Sequence, residues 1–433
     1  MTLRAQTTSL YLGESVLLIW NIAGAPTPSM GSCIASGGWS GTVGFSGTQM
    51  VTPSNTGDVT YTLACSDEAG NTGLPSSATV AVHPVNTNGY QIRQLVADTP
   101  TGSVQVDANL IQPWGIATFP AGFGDTAAGG FQVVNAGSST ITGYDPGGKQ
   151  LTTTDEPSSF FRGNFPAQLS PTGLARNLLP DSAFAPGPDV QCGETHYFVA
   201  GASGALAGFT LGCGTFVLYT ATDSAAYMGV AADTQHVYLT DFHNGKIDVF
   251  DSKLKKVEIT STQFVDPTLP ANYNPFGIRA VCSADQANCS IYVAYAQRDP
   301  QSPNTASVGS GLGLVDVFTP GGEFVQRLVQ PGGALNAPWG MVIAPPAFGS
   351  LSNALLVANG GDGTISGYDP VSGRALGAVT TSSGMPLAVP GLRGIDFSLP
   401  AAAPVFASDT LFFAVAPGAG GHGMIGSISL TRP

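Results

Sequence analysis

The chain is 433 residues long, enough for two or three domains, and holds 57 Gly and 32 Pro but only 10% charged residues. Short runs of Thr, Ser and Val between turn residues suit strands and suit helices poorly, so the chain reads as all-β. With 15 basic against 28 acidic residues and a net charge of −13, nucleic acid is not an expected partner, because polyanions are held mainly by clustered Lys and Arg and the one cluster here, Lys253, Lys255 and Lys256, reads as a solvated turn.

Residues 1–84 read as a small domain. Residues 10–20 form strand, turn and strand, with Val16, Leu18 and Trp20 on one face and Leu17 and Ile19 on the other. Cys33 and Gly38-Trp39-Ser40-Gly41 follow, then a strand over 47–53. In the run from Val59 to Cys65, Val59, Tyr61, Leu63 and Cys65 share one face. A turn over 67–73 leads to a last strand over 77–82. Short strands with regular turns and a cysteine pair 32 residues apart describe an Ig-like β-sandwich. The stretch resembles bacterial Ig-like repeats through Ser32-Cys33, Gly38-Trp39-Ser40-Gly41, the run from Thr60 to Cys65 and the run from Ala78 to Val82. That resemblance implies a spacer or stalk. Tyr61 lies four residues before Cys65 rather than two, which departs from a tyrosine corner. Trp39 is expected to pack near the disulfide. Residues 85–90 read as a linker.

Residues 91–433 carry a repeat. One signature recurs six times: Pro113-Trp-Gly115-Ile, Pro171-Thr-Gly173-Leu, Tyr227-Met-Gly229-Val, Pro275-Phe-Gly277-Ile, Pro338-Trp-Gly340-Met and Leu392-Arg-Gly394-Ile. Its glycines stand 48 to 63 residues apart, room for three or four strands per repeat. Apolar runs follow at 131–135, 197–200, 237–241, 291–295, 355–359 and 411–415. Third strands are expected at 141–144, 206–210, 247–250, 313–318, 365–368 and 424–430. Radial repetition of such sheets makes a propeller, here six-bladed, with glycine where inner strands crowd a narrow channel. The last repeat ends after its third strand, so the strand at 91–96 is expected to complete it and close the ring.

Several stretches look like a family of uncharacterised secreted bacterial propeller proteins. They are residues 98–113, Pro338-Trp-Gly340, residues 239–251, the run from Asn359 to Ile365 and Gly421-His-Gly-Met424. The repeats are also similar to NHL repeats. The resemblance implies a fold and brings no activity with it. Some relatives in that family end in a cell-surface sorting tail; none is expected here, which leaves the mode of surface attachment open.

Six cysteines allow fifteen pairings, and chain order favours 33–65, 192–213 and 282–289, which implies an oxidising compartment. No apolar run reaches 18 residues, so no membrane span is expected. No signal peptide is visible; Met1 is expected to be either an artificial start or the cut end of a longer chain. The chain is therefore expected to be secreted, extracellular or on a cell surface.

Candidate site residues fall on two loop sets of the propeller. The loops leading into the inner strands give Trp114, Phe276, Trp339 and Arg393. The loops joining second to third strands give Asn135, Asp241, His243, Asn244, Asp299, Asn359, Asp362 and His422. Asp241 and His243, two apart at a strand end, face one side and could bind a metal or form an acid–base pair; equally, Asp241 caps a turn and His243 is exposed. Asp362 between glycines suits calcium or simply a hairpin turn. Asn135 and Asn359 occupy equivalent positions, where converging oxygens would suit a hard cation as in lactonase-type propellers. His422 is either a channel lid or a turn residue. Trp114 and Trp339 pack between blades or, if exposed, offer stacking platforms for sugars. No GxSxG, HExxH, P-loop or EF-hand pattern occurs.

The leading expectation is an extracellular binding or structural module presenting a rigid propeller face to a carbohydrate, surface polymer or protein. One alternative is a metal-dependent hydrolase or lyase in the channel mouth. Another is self-assembly into an extracellular array.

Overall fold

A computed structural model of the protein describes residues 1–11, 15–21, 30–67, 72–83, 89–100, 104–123, 126, 129–151, 161–178, 195–283, 286, 288–398, 409–416 and 422–431. The expected turn at 67–73, the linker at 85–90 and Cys192 lie wholly or mostly outside the described residues. The chain divides into two compact units: Met1–Gly89 with Ala344–Asn353 and Leu430–Pro433, and Tyr90–Ile343 with Ala354–Ser429. Apart from a short 3-10 turn, Gly349–Leu351, every regular element among the described residues is a strand.

The first unit has two sheets. One orders Thr2–Ala5, Val16–Asn21 and Ser46–Val51; the other orders Ser9–Tyr11, Ser76–His83, Gly57–Asp67, Met30–Gly37 and Gly41–Val43. Val16, Leu18 and Trp20 alternate inward along one strand, and Tyr61 and Leu63 along another, so a single core fills from both sheets. Cys33 and Cys65 are bonded, and they stand directly opposite on neighbouring strands of one sheet. The bridge therefore ties a strand pair and does not join sheet to sheet, as it would in an antibody-type sandwich. Trp39 is buried in the same core as Cys33, edge-on to Trp20 at 5.3 Å, with its Nε1 donating to Thr62 O at 3.1 Å.

The second unit has β-propeller architecture. Its sheets begin with the strands Pro113–Phe119, Pro171–Arg176, Tyr227–Ala232, Tyr273–Cys282, Pro338–Ile343 and Leu392–Phe397, here sheets I to VI. Sheets I to V each run through four strands in chain order. Sheet VI runs Leu392–Phe397, Leu411–Val415, Met424–Leu430, and then takes Tyr90–Ala97 and the short strand Gln105–Val106 from the start of the unit. The second strands Leu355–Asn359 and Leu411–Val415 coincide with the apolar runs read from the sequence.

Each first strand packs on the first strand of the next sheet, and that of sheet VI on that of sheet I. The signature glycine makes this approach possible. A Cβ on Gly115 would stand 2.7 Å from Thr172 O, one on Gly277 2.0 Å from Trp339 O, and one on Gly394 2.5 Å from Trp114 O. Real side chains do not fit at those separations. At every signature the first strand also slips register against its second strand, as between Pro113 and Ile116 or Leu392 and Ile395. Such a bulge re-aims side chains. Cys282 and Cys289 are bonded across the first hairpin of sheet IV, and Cys213 is also disulfide-bonded.

Gly277→Ala is expected to destabilise the second unit by about 2 kcal/mol or more, since the added carbon meets backbone that cannot move alone. Gly333→Ala, where a Cβ meets nothing within 4 Å, should change stability little. Denaturant titration of the two variants checks the contrast; equal midpoints would show that the strands do not meet this closely.

Candidate functional site

The residue before each signature glycine is Trp114, Thr172, Met228, Phe276, Trp339 or Arg393. Met228, Phe276 and Trp339 are buried in one cluster with Phe242 and Ala296, and Trp114 packs against it. Trp114 and Trp339 meet edge-on at 6.0 Å, and Phe242 lies 4.8 Å from Phe276. Trp339 Nε1 donates to Met228 O at 3.0 Å, which links sheet V to sheet III, two sheets apart. An apolar plug thus crosses the axis at the end where the loops lead into the first strands. The two tryptophans belong to sheets I and V, so they meet over the axis rather than in a seam between neighbouring sheets, and buried Trp339 is not a stacking platform. Arg393 lies over the Trp114 ring at 4.7 Å.

The polar residues expected at this end serve their own loops. Asp241 is fully buried as the last residue of its strand. Its Oδ1 accepts the N–H groups of Ala226 (3.0 Å) and Asn244 (3.1 Å), and its Oδ2 accepts Asn244 Nδ2 (2.7 Å). His243 points elsewhere, with Nδ1 2.8 Å from Asn304 Oδ1. Asn135 and Asn359 hold the same strand-end position in sheets I and V. Asn135 Nδ2 donates to Thr140 and Thr142, and Asn359 Nδ2 to Thr364 and Ser366, while Asn359 Oδ1 accepts the N–H of Asn336. Asp362 closes its turn by accepting from the N–H and hydroxyl of Thr364, and from Asn336 Nδ2. Asp299 accepts the N–H of Gln301 in a similar turn. His422 is exposed, its Nδ1 2.7 Å from Asp98 Oδ2. These side chains pin loops to strand ends one sheet at a time and do not converge. Among the described residues, no three His, Cys, Asp or Glu groups are placed to hold a metal.

Beyond the plug the axis opens. A cavity of about 290 Å³ is lined by all six first strands. Just past the glycines stands an apolar layer: Ile116, Leu174, Val230, Ile278, Met341 and Ile395. The polar lining comes next. Arg279 of sheet IV reaches Asp396 of sheet VI, Nη2 to Oδ1 at 2.9 Å. Asp396 Oδ2 also accepts the N–H of Thr118 (2.9 Å) and lies 3.0 Å from its hydroxyl. Arg176 lines the same space, and among the described residues its guanidinium has no ion-pair or hydrogen-bond partner. Gln286 adds a buried Oε1 without a donor.

The sequence reading missed these residues. Aligning the repeats on glycine would have exposed two of them. Two places after it stand Ala117, Ala175, Ala231, Arg279, Val342 and Asp396, a small apolar column broken by one cation and one anion.

The most strongly shifted carboxyl lies away from the axis. Asp316 is fully buried on Gly313–Phe318. Burial, and then the charge of Asp266, push its pKa up to about 8. Asp266 is held below the usual carboxylate range by the N–H and hydroxyl of Thr268 and by Arg327, against the effect of burial. Arg327 pairs with both carboxylates. One cation among two buried carboxylates leaves Asp316 protonated, which makes this a structural network rather than a reactive group.

No protein-family profile matches the chain. Among curated proteins it is similar to uncharacterized protein R648 of Acanthamoeba polyphaga mimivirus, 30% identical over 317 residues that cover 71% of this chain and 73% of that one. It is also similar to uncharacterized protein L690 of the same virus, 27% identical over 337 residues, covering 71% and 80%. Among solved structures it is similar to a protein of unknown function from Bacteroides thetaiotaomicron, with TM-score 0.47, 13% identity and coverage of 100% and 98%. An auxiliary nutrient binding protein from Bacteroides ovatus gives TM-score 0.46 at 12% identity, covering 99% and 98%.

Asp316 sets a pH dependence whose sign follows from its raised pKa. The unfolded chain loses this proton near the ordinary value of about 3.9, whereas the folded chain keeps it until about 8. Its contribution is therefore fully present at acid pH and is lost as pH rises between those values. Asp316→Asn should flatten that stretch and leave the variant more stable than the parent at pH 7.5 by about 1–3 kcal/mol. Melting scans from pH 4 to 8.5 check this; parallel curves would place an ionised carboxylate in the core.

Proposed function

Because the chain belongs to the family of uncharacterized protein R648 of Acanthamoeba polyphaga mimivirus, which brings no activity with it, we propose from its own geometry that it is an extracellular binding module whose six-bladed propeller seats a small acidic carbohydrate in its central channel. The six-blade reading is supported by the succession of first strands that returns from Gly394 to Trp114. The strand Tyr90–Ala97, lying beside Met424–Leu430, supports closure by the start of the unit. The paired cysteines support an oxidising, extracellular setting. The bacterial secreted resemblance, the Ig-like reading of residues 1–84 and its role as a spacer belong to the same proposal.

One observation carries the binding role: the cavity holds a cation without a counter-charge beside a fixed ion pair. Arg176 and Arg279 against Asp396 leave a local excess of positive charge in a chain of net charge −13. A free guanidinium suits a carboxylate. Gln286 Oε1 is enclosed without a donor beside the cavity, so it offers a contact to a ligand only if its side chain turns inward. The apolar layer above can take the face of a sugar ring. The cavity is at the small end of ligand pockets, which run roughly 300–1,000 Å³, so it fits one sugar or the end of a polymer.

The arrangement favours holding over turning over. Asp396, the one carboxylate lining the cavity among the described residues, is held by Arg279 and Thr118, which fixes its position. A general base needs a free lone pair aimed at substrate. No observation favours the metal-dependent reading, since Asp241 and Asp362 are spent on loop contacts.

Calorimetry on the full chain with glucuronate and glucose tests the proposal. Glucuronate is expected to bind more tightly, and Arg176→Gln to weaken it by about tenfold, the loss of roughly one charge-assisted contact. Equal binding of the two sugars, or an Arg176→Gln variant that binds like the parent, overturns the channel reading. Consumption of the bound sugar would make the protein an enzyme.

A further inference from the structure

At the plugged end of the channel stands a second unpaired arginine. Arg393 is half-buried, its guanidinium stacked on Trp114, and among the described residues no carboxylate or carbonyl accepts from it. Its Nε is fully enclosed without a partner, and so is the neighbouring Trp114 Nε1. Its two Nη groups have no partner either, yet they are not among the enclosed atoms, so an incoming group can reach them. Burial lowers the Arg393 pKa, the direction expected for a cation short of counter-charge.

The surrounding chain makes room for this cation. A Cβ on Gly360 would stand 2.5 Å from Arg393 Nη1. The glycine at 360 lets the loop lie against the guanidinium, which a larger residue would push aside. The loop itself is rigid: Gly360 N donates to Ala337 O at 3.1 Å, Gly361 N to Asn336 O at 3.0 Å, and Asn359 and Asp362 pin its two ends. Ala337 O and Asn336 O each already accept a loop N–H, while the enclosed Arg393 Nε and Trp114 Nε1 have no acceptor.

We propose that Arg393, stacked on Trp114 beneath the Gly360 loop, is a binding site for a carboxylate, separate from the channel cavity at the other end of the axis. The paired Nη donors match the two oxygens of a carboxylate in plane, and the indole face holds the fork in that plane. Charge and geometry define a carboxylate here, whether it belongs to a free small acid or to an acidic side chain of another polypeptide.

The test uses the full chain labelled with nitrogen-15 and follows its indole N–H resonances, with Trp114→Phe assigning the one from Trp114. Sodium acetate and a blocked Gly-Glu-Gly peptide are each titrated against sodium chloride at constant ionic strength. A saturable shift of the Trp114 resonance with acetate, absent in Arg393→Gln and retained in Arg176→Gln, supports the site. The shift with peptide as well as acetate assigns the carboxylate to a polypeptide; with acetate alone, to a free acid. If Arg393→Gln does not fold, Gly360→Ala replaces it, displacing the guanidinium while keeping its charge, and should weaken acetate binding roughly tenfold. No shift with either probe, a shift that survives in Arg393→Gln, or parent-like acetate affinity in Gly360→Ala overturns the proposal. Loss of glucuronate binding in Arg176→Gln with the acetate response intact separates this site from the channel.

Discussion

The second unit depends on backbone meeting backbone around an axis. Six strands approach so closely that a glycine must stand where each faces its neighbour, and the closest of these contacts would put a Cβ 2.0 Å from a carbonyl oxygen. The consequences run outward from there. Each strand bulges at its glycine, so the residue before it turns toward the axis and the residue after it packs in a layer around it. Large side chains before the glycine make the plug. Apolar ones after it make a collar. Past the collar the strands keep their spacing, but four of the six residues next in line are Ala or Val, and space remains.

That sequence of layers explains why the two ends of the axis have different chemistry. At the plugged end, the polar groups at the tips of second strands are drawn into loop hydrogen bonds, because a buried amide or carboxylate must be satisfied where it stands. Asp241 and Asn359 use one device, each accepting a loop N–H through its Oδ1, whereas Asn135 only donates and its buried Oδ1 has no partner among the described residues. At the open end the polar groups belong to first strands and face a shared space. Arg279 and Asp396 lie 117 residues apart and come from sheets that are not neighbours, so their pairing spans the lumen and fixes both charges within it.

The fold was legible in the sequence because its cause is local and repeated. A glycine at the start of an apolar β-run can be seen six times over without knowing what it touches. The site was not legible for the opposite reason. Whether an end is blocked depends on Trp114, Trp339, Met228 and Phe276 meeting across the axis, and no one repeat contains that information. Asp241 and His243 drew attention as a short polar motif, yet a carboxylate before Asn-Gly is drawn to the turn that follows it. The disulfide of the first unit was read correctly as a pair, but its cross-strand placement depends on register rather than spacing. Asp316 carried no sequence signal, since its shift arises from burial and from Asp266, which another part of the chain brings close, with Arg327 acting against it.

Charge gives the arrangement its direction. The chain has few basic residues, 15 in 433, yet Arg176, Arg279 and Arg393 all sit on first strands around the axis. Two of them have no carboxylate partner among the described residues, and the third shares its partner with Thr118. Burying a cation without a counter-charge costs stability that a stalk or spacer has no reason to give up. Outside, the excess of acidic residues repels anions at long range, an effect that salt screens within about 10 Å. Along the axis Arg176 and Arg279 outnumber Asp396 among the described residues lining the cavity, in a space walled by apolar strands where screening is weak. A molecule that is both small enough for the lumen and negatively charged gains from that excess.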